Sequence, residues 1–315
     1  MDPQAYDALR QHAAYIDLAG RGKLRAVGDD RARLLHAMCT NNIQELQPGS
    51  GCYAFFLTAQ GRIFADANLF CMPDYILLDT EPALKQKLQE HLEQYIIADD
   101  VTLADFTAAT ATINIEGAEA GRVLQSLGGP ATHVPYTLTE WKHRTVAHTN
   151  YTGAPGYSIF IDSDDKQSFI EELRAAGLPE AGEDTVEAVR IENGHPRFGV
   201  DFTDANIPQE TQLMEAVHFS KGCYLGQEIV ERVRSRGHVN RMLVSLEIET
   251  QQPPPKGTAV ETDGKEVGHV TSAAFSPAAG KVRSIAMIRT EAIRTAAPMT
   301  VQGAPAVITK LPAPA

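Results

Sequence analysis

The chain has 315 residues, 43% of them apolar and 22% charged, a length that calls for two or three packed units rather than one small core. Its net charge of −12 and isoelectric point near 5.3 repel nucleic-acid backbone and anionic membrane, which argues against direct nucleic-acid binding. Asp2, Asp7, Arg10 and Asp17 interrupt the first residues, which speaks against a signal peptide, and no later stretch has the roughly eighteen apolar residues that cross a bilayer.

In chain order, Asp29 and Asp30 open an amphipathic run through Leu34, Leu35 and Met38 that predicts a helix. Tyr53 to Thr58 and Ile63 to Phe70 read as strands around Ala59, Gln60, Gly61 and Arg62, and Tyr75 to Leu78 as another. Glu81 to Tyr95 places Leu84, Leu88 and Leu92 on one helix face. Residues 101–106 and 111–116 look like strands, and Lys166 to Ala176 like a helix closed by Gly177. Asp184 with Glu187 three residues on has the capping-box pattern, and Gly194 and Pro196 stop the helix that follows. Ile229, Val230 and Val233 fall at helical spacing before the stop at Gly237, although the alternation of Arg232, Arg234 and Arg236 also permits a strand.

The composition shifts at Pro253, Pro254 and Pro255. Beyond them come short β-runs: Thr258 to Thr262, an Asp263 and Gly264 hairpin signal, Glu266 to Ser272, Val282 to Ile288, and Met299 to Ile308. They predict a barrel or sandwich of about seventy residues. The fold class is α+β, without regular βαβ alternation, Gly-rich phosphate loop or GxSxG elbow.

Three places suit chemistry. Cys223 lies two residues after Lys221 and, in the helical reading, at or just before a helix N-terminus; both favour thiolate and a lowered pKa. The alternative is an inert thiol between two turn glycines. Glu192 falls in a last helical turn, where the dipole disfavours an anion by roughly 0.3–1 kcal/mol. Either Arg190 and Arg197 neutralise it, or it receives paired N–H donors from a ligand. Asp66 shares a strand face with Phe64, Asn68 and Phe70, opposite Ile63, Ala65, Ala67 and Leu69; the face is either a seat for a flat heterocycle or a solvated surface. His12, His36, His91 and His143 read as ordinary surface or helix residues. Cys39, Cys52, Cys71 and Cys223 show no CxxC spacing, so no metal set is expected; free thiols fit a reducing cytoplasm.

Lys221 to Glu228, read as K-G-C-Y-L-G-Q-E, matches the K-G-C-(F/Y)-x-G-Q-E signature of the YgfZ family at every fixed position. Residues 33–49, Gly61 to Asp66, Tyr151 to Tyr157, Arg190 to Gly194 and Gly268 to Ser272 with Ser276 and Pro277 resemble, in order, segments of the wider aminomethyltransferase superfamily. The resemblance implies a two-lobed tetrahydrofolate-binding module over 1–240, with lobes of roughly 1–50 plus 135–240 and 51–134, and a C-terminal β-barrel over 241–315. It implies that Glu192 holds the pterin N–H donors, that Asp66 lies near the reactive folate nitrogens, and that Lys221, Arg232, Arg234 and Arg236 meet the glutamate tail. The implied function is that of a reduced-folate-binding accessory protein for iron–sulfur cluster assembly or repair, with Cys223 as its key thiol. Its partners would be iron–sulfur client or carrier proteins, and any tRNA link would be indirect. The alternative is folate-dependent aminomethyl transfer of the glycine-cleavage type. That enzyme resembles G-G-I-x-D-D where this chain has Ala65 before Asp66, and it lacks the cysteine motif.

Overall fold

The computed structural model of the protein describes residues 1–237 and 239–309; the side chain of Arg236, His238 and residues 310–315 lie outside the described residues. Two five-stranded antiparallel sheets and one closed six-stranded barrel carry the architecture. The first sheet runs in the order Ala14–Asp17, Thr110–Glu116, Gly156–Asp162, Arg144–Ala147, Leu138–Trp141. The second runs Ser50–Leu57, Ile63–Cys71, Ile76–Thr80, Gly22–Val27, Thr102–Asp105. The chain therefore enters the second sheet at Gly22 and leaves it at Asp105, where the sequence reading divided the lobes near 51 and 134.

Each sheet is covered on one face by helices, and for the first of them the periodicity anticipated the apolar stripe. Leu88 and Leu92 of Lys85–Glu93, with Leu84, pack on Leu24, Ala26 and Leu69 of the second sheet. Phe169 and Leu173 of Lys166–Ala175 pack on Ile113, Ile115 and Ile159 of the first. The sheets meet through Phe70 and Leu77 on one side and Leu138, Ala147 and Phe160 on the other, the Phe70 and Phe160 rings lying edge to face at 5.3 Å.

The helix Glu183–Glu192 departs from the expected capping box. Gly182 is its N-cap, with no side-chain cap, and Glu187 is drawn instead to Arg190 and Arg197. Two guanidinium partners outweigh one backbone N–H for a carboxylate.

The C-terminal unit is a barrel rather than a sandwich, because Arg241–Ile248 pairs with Lys281–Arg289 on one side and Ala304–Thr309 on the other, leaving no edge. Asp263 and Gly264 both have positive φ, as the hairpin signal requires. A second hairpin at Gln302 and Gly303 splits the run expected over 299–308. The barrel docks on Glu183–Glu192 through Asp201, which accepts from Thr271 at 2.7 Å and Ser272 at 2.6 Å and pairs with the fully buried Arg190 at 2.7 Å. Among the described residues no helix is long and apolar enough to cross a membrane.

Candidate functional site

A β-bulge shapes the strand that carries Asp66. Phe56 pairs with Ala65 and Leu57 with Ile63, so Phe64 is the extra residue. Past the bulge the faces exchange. Ile63 joins Phe55, Leu57 and Phe202 on the Asp66 side, while Phe64 turns to the helix side, where its ring lies 4.4 Å from His91 with Lys87 above it. The expected face of Phe64, Asp66, Asn68 and Phe70 thus loses Phe64, and Phe70 is core between the sheets. Ala65 is fully buried with Ala54, Ala67 and Leu69 on the opposite face.

Asp66 is almost completely buried, and its Oδ2 accepts from the Tyr53 hydroxyl at 2.6 Å. Burial pushes its carboxyl up to about 6, against the lowering effect of the Tyr53 hydrogen bond. Around it runs a polar seam. Asn68 donates to Asp79 at 3.2 Å and accepts from Tyr136 at 3.3 Å. Arg21 clasps Asp79 through Nε at 2.9 and 3.0 Å and reaches Glu81 at 2.8 Å. Its guanidinium lies 5.5 Å from the Tyr151 ring, whose hydroxyl accepts from Arg197 at 3.1 Å. Burial raises the hydroxyl pKa of Tyr53, Tyr136 and Tyr151, yet all three keep part of their surface exposed. Tyr136 adopts φ of 59°, a left-handed conformation uncommon for a bulky residue. Sequence reasoning missed Arg21, Tyr53 and Tyr136 as members of this site; Tyr151 fell within a segment singled out, and Arg197 was named, but as a partner of Glu192.

Glu192 sits where the helix reading put it but with other partners. Its Oε1 accepts from Tyr6 at 2.5 Å and its Oε2 lies 3.3 Å from Arg10, both on the helix Pro3–Gln11. Neither Arg190 nor Arg197 neutralises it. Arg190 is spent on Glu187, Asp201 and the His195 carbonyl, and Arg197 on Glu187 and Tyr151.

The helix Gln227–Arg236 begins after the N-cap Gly226, so of the two positions expected, at or just before the helix N-terminus, Cys223 takes the second, on the loop that leads into it. The thiol is exposed. Lys221 does not turn toward it. Its buried ammonium donates to the carbonyls of His36, Cys39 and Asn41 at the end of the helix Arg31–Met38, and burial lowers its pKa. Leu225 N–H to Ala37 at 3.0 Å and His218 N–H to Thr40 at 2.9 Å complete the lacing. Gly226, at φ of 83°, backs onto the turn before the Asp66 strand, and a Cβ there would lie 2.5 Å from the Thr58 carbonyl. His36, expected to be ordinary, is buried under this loop, its Nε2 3.6 Å from where a Gly222 Cβ would stand.

Arg232 and Arg234 are half exposed and pair within their own helix, with Glu228 and Glu231, and Arg234 also covers the Phe219 ring at 4.4 Å. The Arg236 side chain lies outside the described residues. The structure therefore gathers Asp66 into the seam, anchors Glu192 at the N-terminal helix, and gives Lys221, Arg232 and Arg234 partners within the protein. Among the described residues no three His, Cys, Asp or Glu side chains come together as a metal site. Two hollows lie away from the seam: a cavity of about 30 Å³ between Met72, Leu77, Leu138 and Phe160, and a groove of about 440 Å³ beside Arg122, His148 and Tyr157. Neither gathers buried acids and tyrosines, so chemistry rather than concavity marks the candidate site.

Two antiparallel lobes, an acidic and tyrosine-lined seam beside the Cys223 loop, and a closed barrel define a two-lobed α+β module of the glycine-cleavage T-protein type. The GCVT N-terminal domain matches residues 3–221 and the glycine cleavage T-protein C-terminal barrel domain matches 241–313, and the chain belongs to this family. It is 29% identical over 285 residues to a chloroplastic Arabidopsis thaliana protein named as a candidate transferase, covering 86% of this chain and 64% of that one. It is 27% identical to an aminomethyltransferase of Rubrobacter xylanophilus, covering 91% of this chain and 78% of the relative. For a Nostoc aminomethyltransferase the identity is 26%, over 98% of this chain and 86% of the relative. The crystal structure of aminomethyltransferase T of the Bartonella henselae glycine cleavage system superposes with a TM-score of 0.89 at 19% identity, over 98% of this chain and 88% of that one.

Proposed function

We propose that this protein is a YgfZ-type member of the family: it binds tetrahydrofolate or a derivative beside Asp66 and assists iron–sulfur cluster assembly or repair in client enzymes, with Cys223 as the working thiol. The observation that carries this reading is the docking of the Lys221 to Glu228 loop. It is laced to residues 36–41 and backed against the turn at Thr58 and Gly61, so an exposed Cys223 is held on the element next to the Asp66 strand. The residues fit the pterin end of a folate: a planar ring with N–H donors suits half-buried tyrosine rings and the acceptors Asp66 and Asn68. Bound there, the folate would supply one-carbon chemistry. The protein's part is to position the ring and, at Asp66, to hold or release a proton near neutral pH.

The test uses a deletion strain lacking the protein, assayed for iron–sulfur enzyme activities. Complementation by the wild-type gene and failure of Cys223→Ala, with unchanged melting temperature and folate affinity, is the expected result. Full complementation by Cys223→Ala reduces the protein to a folate-binding scaffold.

Aminomethyl transfer stands as a second reading because of one observation. Ala65, which replaces the first aspartate of the glycine-cleavage pattern, points into the core behind the sheet and leaves the Asp66 face unaltered. Reconstitution with the lipoyl carrier and the glycine-decarboxylating partner decides it. Folate-dependent ammonia release within about tenfold of a genuine glycine-cleavage enzyme, some 1.4 kcal/mol in barrier, would favour transfer.

A further inference from the structure

The segment Tyr151 to Tyr157, which resembles the aminomethyltransferase pattern, opens on a turn that hangs from one buried carboxylate. Glu116 ends the strand Thr110–Glu116 and is fully buried. Its Oε1 accepts from the Tyr151 N–H at 2.6 Å and from Asn114 Nδ2 at 2.7 Å. Its Oε2 accepts from the Thr152 N–H at 3.0 Å and from the Thr152 hydroxyl at 2.5 Å. All four contacts are donors, the surroundings that an anion requires, and they oppose the burial that raises its pKa. Gly156 stands opposite Glu116 in the sheet, where a Cβ would lie 2.6 Å from the Glu116 Cγ, so glycine leaves the side chain its room.

From that anchor the turn reaches two parts of the candidate site. The Tyr151 ring lies 5.5 Å from the Arg21 guanidinium and 5.9 Å from that of Arg197, and its hydroxyl accepts from Arg197 at 3.1 Å. The Thr152 carbonyl accepts from Asn193 Nδ2 at 3.0 Å, and Asn193 is the C-cap that directly follows Glu192. Gly153, at φ of 77°, closes against the same segment; a Cβ there would lie 3.1 Å from the Cβ of both Asn193 and His195. Buried bonds to a charged acceptor are the strong ones, and groups that bind a ligand must be held to within about 0.5 Å by such support.

We propose that Glu116 is a positioning residue of the ligand site: it fixes the turn at Tyr151, Thr152 and Gly153, and through that turn it sets where Tyr151 and Glu192 stand toward a bound reduced pterin. The proposal rests on the folate reading and deepens it. Glu116 itself meets no ligand, since its two oxygens are filled by the four donors. Glutamine cannot replace it, because an amide offers one acceptor oxygen and turns an NH₂ toward donors.

Calorimetric titration of the full chain with tetrahydrofolate, well below the melting temperature of each variant, tests it. Glu116→Gln should bind at least about tenfold more weakly than wild type. Its loss should not add to that of Asn193→Ala, because the first acts partly through the second. With 3-fluorotyrosine in the chain, the Tyr151 fluorine resonance, identified by its disappearance in Tyr151→Phe, should shift in Glu116→Gln while that of Tyr53 stays. A Glu116→Gln protein that melts earlier yet binds with wild-type affinity would reduce Glu116 to a structural acid and overturn the proposal, leaving the folate reading intact. If Glu116→Gln does not fold, Thr152→Val, which removes one donor and keeps the backbone bonds, should bind about threefold more weakly, and unchanged affinity there overturns the proposal equally. If wild type binds no tetrahydrofolate, both readings fall together.

Discussion

Asp66 is held in two ways that oppose each other. Burial favours its neutral form, and the Tyr53 hydroxyl favours its anion; burial wins and leaves the carboxyl at about 6. Because the folded value lies above the unfolded one, the native state binds the extra proton between about pH 4 and 6. The contribution of Asp66 to stability is therefore fully present below that window and is lost as pH rises through it, while the buried His195, lowered to about 4, contributes in the opposite direction. A displacement of about two units corresponds to at most about 3 kcal/mol. Urea unfolding of wild type and Asp66→Asn between pH 4 and 8 should show a stability difference, wild type minus variant, that falls as pH rises from 4 to about 6. A difference that stays constant with pH would assign the effect to another group. Glu192 lies near the other extreme of wiring, with a phenol and a guanidinium already on it.

Two elements owe their position to a single residue each. The extra residue Phe64 reverses the faces of its strand, bringing Ile63 onto the Asp66 side. Lys221 fastens the Cys223 loop by giving its three donors to carbonyls at the end of Arg31–Met38, where a cation also meets the negative end of the helix. Lys221→Met should leave those carbonyls without the ammonium and lower stability by about 1–3 kcal/mol. Amide exchange at 222–226 should speed up while tetrahydrofolate affinity stays near wild type. Lys221→Arg should not rescue the loop, because a planar fork cannot serve three converging carbonyls. A large loss of folate affinity in Lys221→Met, with an intact loop, would return Lys221 to the ligand.

At the scale of the molecule, a buried charge pair of the lobes offers the barrel a hydrogen-bonding anchor. Asp201 takes Arg190 from the helix Glu183–Glu192 and Thr271 and Ser272 from the barrel, and both charged side chains are fully buried. Asp201→Ala would strand Arg190 beside Glu187 and leave the two hydroxyls unpaired, at a cost of about 3–5 kcal/mol. Limited proteolysis and denaturant unfolding should then show the barrel separating from the lobes before they unfold. One cooperative transition at the wild-type midpoint would mean that apolar contacts alone hold it.

The order of amino acids by itself determined the local elements: the helices ending at Gly177 and Gly237, the strands flanking Gly61, the Asp263 and Gly264 hairpin, and the K-G-C-Y-L-G-Q-E loop. Periodicity and turn chemistry report backbone conformation over a few residues, and these features need nothing more. The tertiary structure alone decided the bulge at Phe64, the sheet to which Gly22–Val27 belongs, and the burial of Lys221 and His36. Tyr6 and Glu192 are 186 positions apart, and Lys221 and Cys39 are 182 apart. No local pattern encodes which of several equivalent donors a carboxylate or carbonyl will meet; that choice is made when the lobes close and burial excludes water from the losing alternatives.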